Sequence, residues 1–309
     1  GANGHETIAF SVDSAAAADI GVHQKRAGTI GVVNDAAGTA AASVPASPIS
    51  GGTLTISGFL GTTGVTVDRL DSAREVANAV NNAFSDTGVQ AKAVTKAKLS
   101  SLTAAGTITV DVFGKNNSAV TVSTTISSTS DLTSLAAAFN TFSSQTGITA
   151  EVSTDKTYVV LTSDDGYDIR LQGYTNNGGG SMNVIGLAGN GDAIQDAGGT
   201  ALDTAVTLQA TTTADSARVL GDVLFQSSKE FTLKDSAGTA GQTNFVGQSA
   251  QASTLISMST VDISTQSGAG DAISIIDGAL TRISSMRADL GAISSRLEKT
   301  VEALTSSSV

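Results

Sequence analysis

The chain has 309 residues, a net charge of −11, 40% hydrophobic residues and only 4% aromatic ones. That suffices for two or three domains with cores of small apolar residues, but leaves few aromatics to line a ligand pocket or to stack on bases. The acidic balance, with no basic run longer than Gln24-Lys25-Arg26, argues against nucleic acid and anionic membranes as partners, and the absence of Cys excludes disulfides, thiolate metal sites and cysteine nucleophiles. No apolar run approaches the ~18 residues that span a bilayer. The opening Gly1-Ala2-Asn3-Gly4 lacks both Met and a charged-then-apolar leader, and reads as the start of a piece cut from a longer chain.

Residues 6–13 alternate polar and apolar, so Ile8, Phe10 and Val12 would share one face of a half-buried strand. Ala15–Ile20 reads as a short helical or irregular stretch and Thr29–Val33 as another strand. Residues 35–50, loose in Ala, Gly, Ser and Pro, are expected to be a linker.

An internal repeat follows. Gly52-Thr-Leu-Thr-Ile56 opens one unit and Gly106-Thr-Ile-Thr-Val110 the next. Each has a second strand, Val65–Val67 and Val120–Val122, and then a helical stretch, Arg74–Phe84 and Leu132–Phe142. Each helix ends near a glycine, Gly88 or Gly147, that can take the left-handed conformation of a helix stop. Each unit then returns to a strand, Gln90–Val94 and Thr149–Val152. Two ββαβ-like modules are thus expected, over 50–100 and 104–172, each helix covering the apolar face of its sheet. The second runs on through Tyr158–Thr162 and Ile169–Leu171. Residues 173–200, rich in Gly and Asn, are expected to be a loop or a second domain boundary. Strands resume at Ala205–Ala210, Val219–Phe225 and Glu230–Lys234, the last opening a hairpin that ends near Phe245.

From Ser259 the pattern changes. A helix beginning near Asp271 carries apolar residues at Ile273, Ile276, Leu280, Ile283, Leu290, Leu297, Val301 and Leu304, in steps of mostly three and four. Arg287 and Ser294 stand where the stripe would want apolar residues. So narrow and sustained a stripe, about 50 Å long, reads as a coiled-coil seam rather than a globular face. Nothing else in the sequence is a helix long enough to cover it, and a lone helix of this kind is not stable in water. Its mate is expected outside this chain or on another copy of it.

The stretch Val261–Leu280 and the segment Arg287-Ala-Asp-Leu-Gly-Ala-Ile-Ser-Ser-Arg-Leu-Glu298 closely resemble the C-terminal region of bacterial flagellins, with Ser295 where that family usually has Asn. Gly1-Ala-Asn-Gly-His-Glu-Thr-Ile8 is similar to the segment that follows the family's N-terminal helices, and the modules at 50–172 are more loosely similar to those of flagellin outer domains. The resemblance implies an elongated, multidomain α+β protein. A discontinuous inner domain, 1–48 and 205–309, would contain the long C-terminal helix. A β-rich outer domain, 49–204, would contain both repeats. It implies a structural subunit of the extracellular flagellar filament, not an enzyme, exported without a cleaved signal peptide and binding no cofactor or metal. Its partners would be other flagellin subunits, with a flagellar export chaperone, a cap protein and a Toll-like innate receptor as further candidates. Relative to the family the chain lacks the elements that polymerise, so by itself it is expected to be a monomer. The expected assembly interface is Ile276, Leu280, Ile283, Arg287, Leu290, Arg296 and Leu297.

A second hypothesis is a polysaccharide-binding or adhesin-like surface module, for which Tyr158, Tyr167 and Tyr174 are the candidate sugar contacts. Other chemistry is weaker. His5-Glu6 lacks the second histidine of a zinc-protease helix, because position 9 is Ala. Asp164, Asp165 and Asp168 lack the loop logic of a calcium site, and Asn190, Asp192 and Asp196 fare no better. Gly178–Gly180 is followed by no Gly-Lys-Ser/Thr and is no phosphate cradle. No Gly-x-Ser-x-Gly elbow is present.

Overall fold

A computed structural model describes residues 14–27, 32–34, 51–69, 71–192, 205–210, 214–236, 246, 248–264 and 266–307. The elements begin with β1 (Gly21–Arg26), β2 (Val32–Asn34), β3 (Gly52–Ser57), β4 (Thr62–Val67), α1 (Ala73–Asn82), α2 (Phe84–Thr87) and β5 (Gln90–Ser100). Next come β6 (Gly106–Phe113), β7 (Val120–Ile126), α3 (Thr133–Thr141), α4 (Ser143–Thr146), β8 (Thr149–Val152) and β9 (Val159–Ser163). The chain continues through β10 (Ile169–Asn176), β11 (Ser181–Leu187), β12 (Val206–Gln209), β13 (Ala217–Val219), β14 (Asp222–Ser227) and β15 (Thr232–Asp235). It closes with β16 (Gln251–Ala252), β17 (Thr254–Ser257), a short 3-10 turn at Met258–Thr260, and α5 (Gln266–Ser307). The fold is α+β, with antiparallel sheets and one long C-terminal helix.

The chain divides into two compact units, one of residues 1–23 and 254–309 and one of residues 24–253. Within the larger unit, strands run β12–β11–β5–β14, with β9 on β5 and β8 on β9. A second sheet runs β2–β13–β10–β6–β7 and a third β16–β15–β3–β4. Two apolar clusters result. One gathers Leu54, Ile56, Val76, Val80, Val223 and Phe225. The other gathers Ile108, Val110, Leu135, Phe139, Leu161 and Leu171. The strand β5 serves both, with Ala91 and Ala93 in the first and Ala97 and Leu99 in the second. Its period-two alternation puts every second residue inward along all 11 residues.

Helix α1 starts because Ser72 and Glu75 form a capping box, in which the Ser72 N–H donates to the Glu75 carboxylate at 2.6 Å. It is followed by α2 and then by Gly88 at φ +72°, the left-handed stop. The next helix pair closes the same way at Gly147, φ +69°. An asparagine side chain in each helix mimics a strand partner. Asn81 accepts from the Ala91 N–H (2.8 Å) and donates to its carbonyl (2.9 Å), and Asn140 does the same to Ala150 (2.8 and 2.7 Å). Thr87 and Thr146 each donate to the carbonyl four residues back and accept from the N–H two residues on.

Three expectations need correction. Residues 173–200 are not one loop: β10 runs to Asn176 and β11 occupies Ser181–Leu187, with Met182, Val184 and Gly186 buried in alternation. Glycines on either side hid a strand whose inward positions are apolar or small. Val219–Phe225 is not one strand but two in different sheets, β13 and β14, parted at Leu220–Gly221. The long helix begins at Gln266, earlier than Asp271. The expected strand at 6–13 and the linker at 35–50 lie outside the described residues, as does the end of the hairpin near Phe245.

In the larger unit Asp168 and Arg218 form a buried ion pair, with Arg218 Nε 2.7 Å from Asp168 Oδ2. Arg170 lies directly opposite Arg218 in the β10–β13 register, so the carboxylate also offsets two facing cations.

Candidate assembly face

In the smaller unit, β17 leads through the 3-10 turn toward α5. The Met258 N–H donates to the Ile20 carbonyl at 2.9 Å and the Ser259 N–H to that of Ala17 at 3.1 Å, which ties the two chain segments together. One face of the first turns of α5, Ala272, Ile275 and Ala279, is buried. Gly278 permits that approach. A Cβ there would stand 2.8 Å from the Gly21 carbonyl oxygen and from Val22 Cβ, so any larger residue would push the helix off β1.

The remainder of α5 is different. Among its described side chains, none beyond Ala279 is buried. Ile273 is 64% exposed, Ile276 41%, Leu280 56%, Ile283 36%, Leu290 45% and Val301 61%. These residues recur in steps of three, four, seven and eleven, which align one side of a helix. Arg287 and Arg296 are exposed on the same rod, and Leu297 is half-buried. All seven expected interface residues therefore lie on α5, six of them exposed, and Leu297 offers the least free surface. The helix has 42 residues, about 63 Å at 1.5 Å per residue. Its backbone is internally bonded, and Thr281, Thr300 and Thr305 donate their hydroxyls to the carbonyl four residues back. What it lacks is burial of its apolar stripe, which is what stabilises most helices in proteins.

The tyrosines do not share one exposed groove. Tyr174 is fully buried, its hydroxyl donating to the Gly180 carbonyl at 3.3 Å, and burial pushes its phenol up. It therefore offers no surface to a sugar. Tyr158 and Tyr167 are half-buried under different cations, Lys98 at 4.2 Å and Arg74 at 4.7 Å from the ring centres. Nor do Asp164, Asp165 and Asp168 converge. The first two are exposed, while Asp168 is buried against Arg218. Gly178–Gly180 form the turn between β10 and β11. Among the described residues no group of three His, Asp or Glu could hold a metal ion, and no helix is long and apolar enough to cross a membrane. His5, Glu6 and Asp196 lie outside the described residues.

The stretch of α5 that carries the stripe also matches a known family. Residues 273–309 match the family model described as the bacterial flagellin C-terminal helical region. Over 236 residues, 76% of the chain, it is 32% identical to a B-type flagellin of Pseudomonas aeruginosa. The chain belongs to the flagellin family. It spans 45% of the length of that curated flagellin relative. Among solved structures, the flagellar cap protein FliD of Helicobacter pylori aligns with 80% of this chain and 86% of its own at 11% identity and a TM-score of 0.21, too low to bear on the flagellin reading.

Sequence reasoning found the α5 stripe but not the feature that seats the helix, Gly278. It also passed over Phe59 and Leu60, which stand exposed although Gly58-Phe-Leu-Gly61 puts two large apolar residues where turns favour polar ones.

Proposed function

We propose that this chain is a structural, non-enzymatic subunit of the bacterial flagellar filament, built into it through the exposed stripe of α5 and working outside the cell. The single observation that carries the reading is the row Ile276, Leu280, Ile283 and Leu290, bare on a helix with no buried residue beyond Ala279 among those described. Contiguous exposed apolar surface of this length marks an interaction site, and helices with a narrow apolar seam pair with other helices. Arg287, within the stripe, and Arg296 would bridge to acidic groups of neighbouring subunits. The inner part is drawn from both chain ends and the outer part from the middle. The middle is read as two copies of one ββαβ module. The paired Asn81 and Asn140, Thr87 and Thr146, and Gly88 and Gly147, all at the same offset, support a duplication. An export chaperone and a cap protein are further partners of this reading.

The test is polymerisation of the full-length protein carrying L280D and L290D. The expected result is loss of sedimentable filaments with the circular dichroism spectrum unchanged. Filaments as abundant as those of the parent would overturn the reading.

A second reading, sugar binding by the outer part, draws on Tyr158. Its ring is half-buried under Lys98, and Lys96 follows the same strand face. Retardation of the protein in gels containing an anionic polysaccharide, abolished by Y158A, would support it. Equal mobility of both would remove it.

A further inference from the structure

The larger unit carries a small apolar corner that its own folding does not require. Phe59 is 44% exposed, Leu60 55% and Phe84 41%. The first two occupy the centre of the turn between β3 and β4, closed by the Gly58 N–H donating to the Gly61 carbonyl at 2.9 Å. That turn rests on α2. A Cβ on Gly88 would lie 2.2 Å from the Phe59 ring, and one on Gly58 would lie 1.9 Å from the Thr87 carbonyl oxygen. Phe84, the first residue of α2, lies one helical turn before Gly88, the glycine that the Phe59 ring covers, and its carbonyl accepts the Gly88 N–H at 2.7 Å.

The corresponding corner after β6 shows what the framework needs. There Gly114 approaches the Thr146 carbonyl as Gly58 approaches that of Thr87, and the stem of Lys115 lies over Gly147 as the Phe59 ring lies over Gly88. Asn116 ties that turn to Gly114, Val112 and Ser118, and Ser143 opens α4 where Phe84 opens α2. The same corner is therefore built with Lys, Asn and Ser. The apolar residues of the first corner are left without a folding role.

We propose that the Phe59–Leu60–Phe84 corner is a side-to-side contact between neighbouring copies of this chain, and this rests on the filament reading above. The size of the patch selects the occupant. Three half-exposed side chains offer on the order of 300 Å², and two such surfaces together bury well under the ~1,200 Å² of a stable complex. A contact this small holds only between partners already kept side by side, where the effective concentration is high, and an array of identical subunits provides that. The rim fits a like partner: Lys229 Nζ stands 5.6 Å from the Phe59 ring centre and Asp86 is exposed on α2, so each copy offers both signs of charge.

The experiment replaces Leu60, and separately Asn116 as control, with the photo-crosslinker benzoylphenylalanine in the full-length protein, and irradiates assembled filaments. The expected result is a subunit-to-subunit product several-fold more abundant from position 60 than from position 116. In parallel F59K, L60N and F84S, which copy the second corner, are expected to lower the temperature at which filaments depolymerise by more than they lower the monomer's melting. Equal crosslinking at both positions, or unchanged filament melting, would overturn the proposal while leaving the filament reading intact. If the parent forms no filaments, both fall.

Discussion

The unit of residues 24–253 and the distal part of α5 use similar apolar residues to opposite ends. In the former, two clusters enclose Leu, Ile, Val and Phe almost completely, and even an ion pair is taken inside. In the latter, Leu and Ile recur as regularly but remain in contact with solvent. Apolar periodicity alone thus does not say whether a face is satisfied. What separates the two is burial: β5 has helices and sheets around it, while no described side chain of α5 beyond Ala279 is buried. The contrast predicts that substitutions within the two clusters act on stability and substitutions on the stripe act on assembly.

The largest effect is expected at the buried pair. R218M removes the guanidinium and leaves Asp168 buried without its main partner, which costs about 3–5 kcal/mol. Burial pushes the Asp168 carboxyl up, with Arg218 and Arg170 opposing, so the variant's deficit should widen as pH rises and the unpaired carboxylate is forced to ionise. Denaturant midpoints at pH 5 and pH 8 check both statements. A deficit under about 1 kcal/mol would mean the pair is not enclosed as described.

Next come the two helix stops. Alanine at a left-handed position costs roughly 1–2 kcal/mol. G147A should cost no more than that, because the new methyl meets the movable stem of Lys115 at 3.1 Å. G88A should cost more, because it meets the Phe59 ring at 2.2 Å and must expel it. Thermal unfolding of the two variants sharpens the comparison, and equal losses would show that the ring yields freely.

On the stripe the expectation is nearly nothing for the isolated chain. L290Q removes a side chain 45% exposed, and surface substitutions of this kind fall within about ±0.5 kcal/mol. A larger loss of monomer stability would show that the stripe is already packed, and would erase the contrast between the two regions.

How much of this the sequence disclosed follows the same division. The α5 stripe was legible because helical periodicity is sustained through it, interrupted only at Arg287 and Ser294. The helix stops at Gly88 and Gly147 were legible because glycine just past a helical stretch can take the left-handed conformation. What escaped depends on contacts distant in sequence. Gly278 looks like a weak point in a helix until Gly21 and Val22 are seen against it. The Asp168–Arg218 pair joins residues 50 apart, and Tyr174 reads as a candidate sugar contact until the core closes over it. The strand β11 was hidden because its glycine surroundings signal a loop, although Met182 and Val184 carry its inward alternation.

The smallest effects concern exposed carboxylates, and their sign can be worked out. Asp131 is held below its ordinary 3.8 by the Thr133 hydroxyl and N–H, the latter at 3.0 Å, and by Lys156. Asp155 is held down by the Ser153 and Thr157 hydroxyls at 2.6 and 2.9 Å and by the Thr157 N–H, and Asp262 by the Ser264 N–H at 2.8 Å and by its hydroxyl. A carboxyl whose folded value is depressed adds stability at pH values above the unfolded 3.8 and loses it as pH falls through the folded value. Asp71 runs the other way. Burial raises it, as do Asp68 and Glu75 nearby, so its contribution is complete below 3.8 and lost as pH rises through the folded value. Carboxyl-carbon NMR titration should therefore give midpoints below 3.8 for Asp131, Asp155 and Asp262 and above it for Asp71. Asp131 and Asp155 sit in the turns around the start of α3, where Leu132 N–H bonds the Lys156 carbonyl. Acid should accordingly destabilise the turns at the start of α3 only below pH 3.8, after Asp71 has already taken up its proton. Loss of that corner well above pH 3.8 would show that these hydrogen bonds do not hold the two carboxyls down.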